Sequence, residues 1–181
     1  MTNLVRILFL VAAMVYSGHT QAVAAETILR PIATVQTTAV GSFKIADYFK
    51  DDPKGEAGVR ISLSSNFKKR FLELVDEHNP VVTLRIYRLS KFSRDGQIAN
   101  EIGKNNFRTG LALVWNLLKQ QGMGQDGVLL TDGRVNIFYI SDRNSFSSSD
   151  YAVSVYWSEG WHIDGQLAIN WWDKDNQVIS R

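Results

Sequence analysis

Two runs near the C-terminus, residues 151–157 and 161–172, narrow most sharply what this chain can become. In the first, Tyr151, Val153, Val155 and Trp157 fall on alternate positions. In the second, Trp161, Ile163, Leu167, Ile169 and Trp171 share one parity, with Gly165 between them on the same side. Period-two alternation belongs to strands that bury one face. A three-residue turn at 158–160 sets Trp157 opposite Trp161 and Val155 opposite Ile163, so that the two apolar faces join. A two-residue turn at Glu159 and Gly160 would set Trp157 against His162 and mix the faces, which one-sided burial disfavours. We therefore expect the three-residue turn, with Gly160 at positive φ.

The same register puts Ser154, Tyr156, His162, Asp164, Gln166, Asn170 and Trp172 on the opposite face. Tyr156 then lies across from His162 and Ser154 across from Asp164, at about 5 Å between Cβ atoms. Ser154, Tyr156, His162 and Asp164 are the candidate catalytic residues of a hydrolase on this face. The plainer reading is the wet side of a half-exposed sheet. His162 and Asp164, two apart on one strand, stand about 6.6 Å apart and would have to lean together to bond. No Gly-x-Ser-x-Gly elbow is present. By parity Trp157, Trp161 and Trp171 point into the core, and Trp172, beside Asn170, is the ring left outside to contact a partner.

Upstream, residues 34–40 and 59–63 read as strands, and 51–58 (DDPKGEAG) as a loop. Ser64 or Ser65 caps a helix running to about Glu77, with Phe67, Phe71, Leu74 and Val75 on one stripe. Residues 81–89 (VVTLRIYRL) form a strand and 93–96 a turn. A second helix, about 106–121, carries Phe107, Leu111, Val114, Trp115 and Leu118 on one side, and Gly122 takes the glycine position after its end. Asp132-Gly133 signals a hairpin between 128–131 and 134–140. The expected fold is α+β: a single curved antiparallel sheet of five or six strands, two helices packed on one face, and a C-terminal β-meander.

Residues 1–25 read differently. Arg6 precedes an apolar run of ten residues (ILFLVAAMVY), and small residues ending in AVAA follow. This is the pattern of a cleaved secretory signal peptide, and the run is too short for a helix spanning a bilayer, which needs about 20 residues. Residues 26–181 then form one α+β domain, secreted or periplasmic, with no transmembrane segment. The chain has no cysteine, which excludes a disulfide framework, thiolate metal sites and cysteine nucleophiles. A formal charge of +2 is too balanced for a dedicated nucleic-acid binder.

Charge is nevertheless uneven along the chain. Arg60, Lys68, Lys69, Arg70, Arg85, Arg88, Lys91 and Arg94 face only Glu73, Asp76 and Glu77 in the middle segment. Lys68, Lys69 and Arg70 fall in the first turn of the expected helix, where the macrodipole disfavours cations, and an anionic partner would rationalise them there. Lys68, Lys69, Arg70, Arg85, Arg88 and Trp172 are thus the candidate contacts for an acidic glycan, a lipid head group or an acidic protein surface.

Metal and cofactor motifs fail on their context, and we expect neither. His78 and His162 are the histidines beyond the signal segment, and His78 suits a helix C-terminus better than a metal. Residues 173–177 (DKDNQ) begin like a calcium loop but lack its glycine, so a hairpin turn or a frayed tail is expected. Residues 122–127 match G-x-G-x-x-G, yet they follow a helix and precede a strand, the reverse of a dinucleotide fingerprint. The leading expectation is an exported, non-enzymatic binding protein. A hydrolase built around His162 and a membrane-active secreted effector are the alternatives.

Overall fold

A computed structural model describes residues 27–76, 80–103, 105–141 and 150–181. The signal segment, His78 and most of the 141–150 loop lie outside the described residues. In chain order the elements are β1 (Leu29–Gln36), β2 (Phe43–Lys44), α1 (Ile45–Tyr48), β3 (Ile61–Leu63), α2 (Ser65–Phe71), β4 (Val75–Asp76), β5 (Thr83–Leu89) and β6 (Ser93–Arg94). Then follow α3 (Asp95–Ile102), β7 (Arg108–Thr109), α4 (Leu111–Gln120), β8 (Asn136–Ser141), β9 (Asp150–Trp157), β10 (Trp161–Leu167), β11 (Trp171–Trp172) and β12 (Gln177–Ser180).

The fold is α+β, built on an eight-stranded sheet in the order β1-β5-β12-β8-β9-β10-β3, with β7 also paired to β8. It is larger than expected and is not purely antiparallel: β3 runs parallel to β10, and both β12 and β7 run parallel to β8. The missed element is the chain's end. Far from fraying, residues 177–180 insert between β5 and β8 with all four residues buried, after a turn in which Asp175 takes φ 69°.

The β9–β10 hairpin has the expected register, Trp157 opposite Trp161 and Val155 opposite Ile163. Its left-handed residue is Glu159, at φ 58°, and not Gly160. Gly160 sits close against its neighbour instead: a Cβ there would lie 3.0 Å from the flexible Arg60 side chain.

Each cross-sheet row shows which face is buried. Ile86, Ile179, Phe138, Val153 and Gly165 form one row, under α1, α2 and α4, in a core that also holds Trp161 and Ile163. The adjacent row on the other face runs Tyr87, Val178, Ile137, Ser154, Asp164. It changes from apolar to polar along its length because α3 and β11 cover only the first part, where Ile98 and Trp172 join Ile137, Tyr139 and Val178 in a second core. Helices therefore lie on both faces, not one, and the second face is left open over β9, β10 and β3.

Several local expectations yield to tertiary pairing. Ser64 caps α2 by accepting the Phe67 N–H at 3.0 Å, as its position suggested, but the helix stops at Phe71. Val75 then pairs with Lys44 in a small ribbon and is exposed, so the helical stripe ends early. At the second helix, residues 108–109 pair with β8, and Phe107 crosses to the second core and stacks on Tyr139 at 4.1 Å; only Leu111–Gln120 remain helical. Gly122 does not take a positive φ, and its bareness lets the Gly58 carbonyl approach. Residues 93–96, expected as a turn, divide between β6, which pairs with β11, and the first two residues of α3.

Gly133 has φ +86°, but 128–131 is no strand. Its backbone is satisfied by buried side-chain amides. Gln121 both accepts from Leu129 N–H and donates to its carbonyl, Asn136 does the same for Leu130, and Gln177 donates to Val128. The first strand is also displaced, covering Leu29–Gln36 rather than 34–40.

Candidate functional site

The open half of the second face is concave. Ser62, Ser64, Ser154, Tyr156, His162 and Asp164, with Leu63 and Ile163, line a groove of about 360 Å³. The four residues singled out from the alternation therefore meet in one concavity, joined by Ser62 of β3 and by Ser64, the cap of α2. Ser62 stands level with His162 because β3 pairs with β10 in parallel, a long-range pairing that nothing in the 59–63 stretch announces.

Within the groove the groups are held as follows. The Tyr156 and His162 rings stack, centroids 5.0 Å apart and planes within 12°. His162 Nε2 lies 3.1 Å from the Ser158 carbonyl oxygen. Asp164 Oδ1 accepts from the Ser64 hydroxyl and, at 2.8 Å, from the Gly165 N–H. Ser64 thus donates its proton to Asp164 while its oxygen caps α2, so this carboxylate has an anchoring duty. Among the described residues no hydrogen bond joins His162 to Asp164 or to a serine hydroxyl, which leaves the nucleophile–base–acid order of a serine hydrolase unassembled.

A second cavity, of about 410 Å³, is lined by Asn66, Lys69, Arg70, Phe71 and Tyr151. The Arg70 guanidinium lies 4.7 Å from the centre of the Tyr151 ring, a cation–π arrangement. Neither Lys69 nor Arg70 has a carboxylate partner among the described residues, and no acid lines the cavity. Asn66 and Tyr151 were not among the sequence candidates; only the packing of α2 on β10, which brings Arg70 and Phe71 to the start of β9, could place Tyr151 there.

The remaining basic candidates separate. Lys68 pairs with Asp51 at 2.5 Å. Burial works against the Asp51 charge, but the Lys68 hydrogen bond and charge, with the Leu63 N–H, outweigh it and hold the carboxyl below its usual range. Arg88 donates to the Asp175 carbonyl at 3.0 Å and so braces the turn before β12; burial first, then the Arg134 charge, lowers its pKa. Arg85 is exposed on β5, four strand spacings from β10, or about 19 Å. The middle segment is therefore no single basic patch. Nor do Lys68, Lys69 and Arg70 oppose a macrodipole: because α2 is short they occupy its last turn, where cations are favoured.

The tryptophan assignment reverses at the end of β10. The strand stops at Leu167, so parity no longer carries through to residue 171. Trp171 is 53% exposed, stacked on Phe92 at 4.9 Å and facing Arg94. Trp172 is buried, and its indole N–H donates to Asp95 at 2.5 Å. Trp172 therefore drops out as a contact residue. Among the described residues no cluster of three His, Asp or Glu side chains could hold a metal ion, and no helix is long and apolar enough to cross a membrane. Comparison with protein-family models, with curated proteins and with solved structures found no match.

Proposed function

We propose that the chain is an exported, non-enzymatic binding protein that receives an anionic group, a carboxylate, sulfate or phosphate, in the cavity beside α2. The observation that carries this reading is the lining: Lys69 and Arg70 without an acidic partner among the described residues, an Asn66 amide and the Tyr151 ring around about 410 Å³. A guanidinium fixed on a ring keeps its outward N–H donors free for a planar anion, and an ammonium adds a point charge. The apolar run and small-residue site at the N-terminus support export. Hydrolysis at His162 has less support, since its ring is turned to the Ser158 carbonyl.

The test is binding of the secreted chain to arrayed acidic glycans and to vesicles containing anionic lipid, each at two salt concentrations. We expect binding that weakens as salt rises and falls at least about tenfold in the Lys69→Gln/Arg70→Gln double variant, the loss of two charge-assisted contacts. Glycan binding without vesicle binding identifies an acidic sugar, and the converse a head group. Binding that survives the double variant refutes the site. Release of dye from the vesicles would favour a membrane-active protein instead.

A further inference from the structure

The groove on the open half of the second face has a property that a merely wet sheet surface lacks. Ser154 is only 7% exposed, it lines the groove, and its hydroxyl has no hydrogen-bond partner among the described residues. The small area that Ser154 exposes leaves its hydroxyl accessible from the groove, where water or a ligand can complete its hydrogen bonding. Around it stand the Ser62 hydroxyl, which is likewise unbonded among the described residues, and the Tyr156–His162 ring stack. Asp164 is there too, its Oδ1 occupied by Ser64 and Gly165 while Oδ2 has no bond among the described residues.

We propose that this groove binds a neutral polyhydroxylated ligand, a saccharide in class. The chemistry of the lining selects it. Hydroxyls that both donate and accept match vicinal sugar hydroxyls, and a carboxylate oxygen accepts from them strongly. The ring stack offers rigid apolar surface for a sugar's C–H face at low entropic cost. No cation lines the groove, so an anion is disfavoured, and the lining is too polar for a lipid chain. A volume of about 360 Å³ falls at the small end of ligand sites, which suits one or two sugar rings. The site is separate from the cation cavity and does not depend on it.

The experiment follows the His162 and Tyr156 ring resonances by NMR in the secreted chain while glucose, galactose, N-acetylglucosamine, maltose and cellobiose are each added to about 10 mM, a range that reaches weak millimolar affinities. At least one sugar is expected to shift both rings saturably. Ser154→Ala is expected to weaken that binding about fivefold to tenfold, one neutral hydrogen bond, while leaving thermal stability unchanged or slightly raised. Tyr156→Leu should abolish it, and Lys69→Gln/Arg70→Gln should leave it intact, which keeps this site distinct from the anion cavity. The proposal is overturned if no sugar moves the rings, or if Ser154→Ala binds as the parent does. It is equally overturned if Ser154→Ala destabilises the fold, which would give the hydroxyl a structural partner, or if a simple amine such as ethylammonium binds the groove and the sugars do not.

Discussion

Replacing Asp95 by asparagine tests the logic that joins the two halves of the second face. Asp95 is 1% exposed and sits at the start of α3. Its Oδ1 accepts from the Tyr139 hydroxyl at 2.6 Å and the Trp172 indole at 2.5 Å, and its Oδ2 accepts the Asn170 N–H at 2.5 Å. One carboxylate thus ties α3 to β8, to β11 and to the chain between β10 and β11. In Asp95→Asn the amide oxygen keeps the tyrosine and the indole, but the new NH₂ faces the Asn170 N–H, donor against donor. A lost bond to a charged acceptor costs about 1.5–3 kcal/mol, and the orphaned N–H about 1–3 kcal/mol. Neutralising a buried charge recovers part of this, so we expect a net loss of about 2–4 kcal/mol. Tyr139→Phe removes one donor of three and should lose about 1.5–3 kcal/mol. Urea unfolding followed by tryptophan fluorescence measures both, and the double variant gives the coupling, expected at about 0.5–3 kcal/mol for groups in contact. A loss below about 1 kcal/mol in Asp95→Asn, or strict additivity with Tyr139→Phe, would refute the hub on the scale these bonds carry.

Three further outcomes follow from the fold. Burial first, and then the Asp95 charge and hydrogen bond, raise the Tyr139 pKa well above its ordinary 10.0. A raised folded pKa means stability that is intact below about pH 10 and falls by about 1.4 kcal/mol per pH unit above it, as the unfolded chain alone loses the proton; Tyr139→Phe should remove that slope in alkaline unfolding titrations. Gly122→Ala puts a Cβ inside the Gly58 carbonyl oxygen, backbone that cannot swing away, and should lose about 3 kcal/mol or more in thermal melts, whereas Gly160→Ala meets only the flexible Arg60 chain and should lose far less. Deleting residues 176–181 removes the strand between β5 and β8, and circular dichroism of the product should show no cooperative unfolding transition.

Much of the candidate groove is legible in the sequence. Alternation fixes which side chains share a face, and a single buried face fixes register. Hence the pairing of Tyr156 with His162 and Ser154 with Asp164 can be read from residues 151–164 alone. Ser64 as the cap of α2 and the buried stripe of Leu111, Val114 and Leu118 on α4 are legible for the same reason, each being set by short-range periodicity and local hydrogen bonding. Parity fails where the strand stops: beyond Leu167 the count that places Trp171 inside and Trp172 outside no longer describes one continuous strand.

Where distant segments meet is set by long-range pairing. Residues 177–180 are four residues with no alternation long enough to read, and they become a central strand because β5 and β8 supply hydrogen-bond partners on both sides. The parallel docking of β3, which brings Ser62 and Ser64 to the groove, rests on partners about a hundred positions away. The stacking of Tyr151 on Arg70, which makes a cavity out of two surface cations, depends likewise on α2 packing on β10 next to the start of β9. By itself the sequence determined the local periods, the face each side chain takes along a strand, and the chemistry those faces carry. Which faces are covered, and therefore which polar groups line an open groove, depended on long-range pairing, because the free energy of covering a face belongs to the element that arrives there.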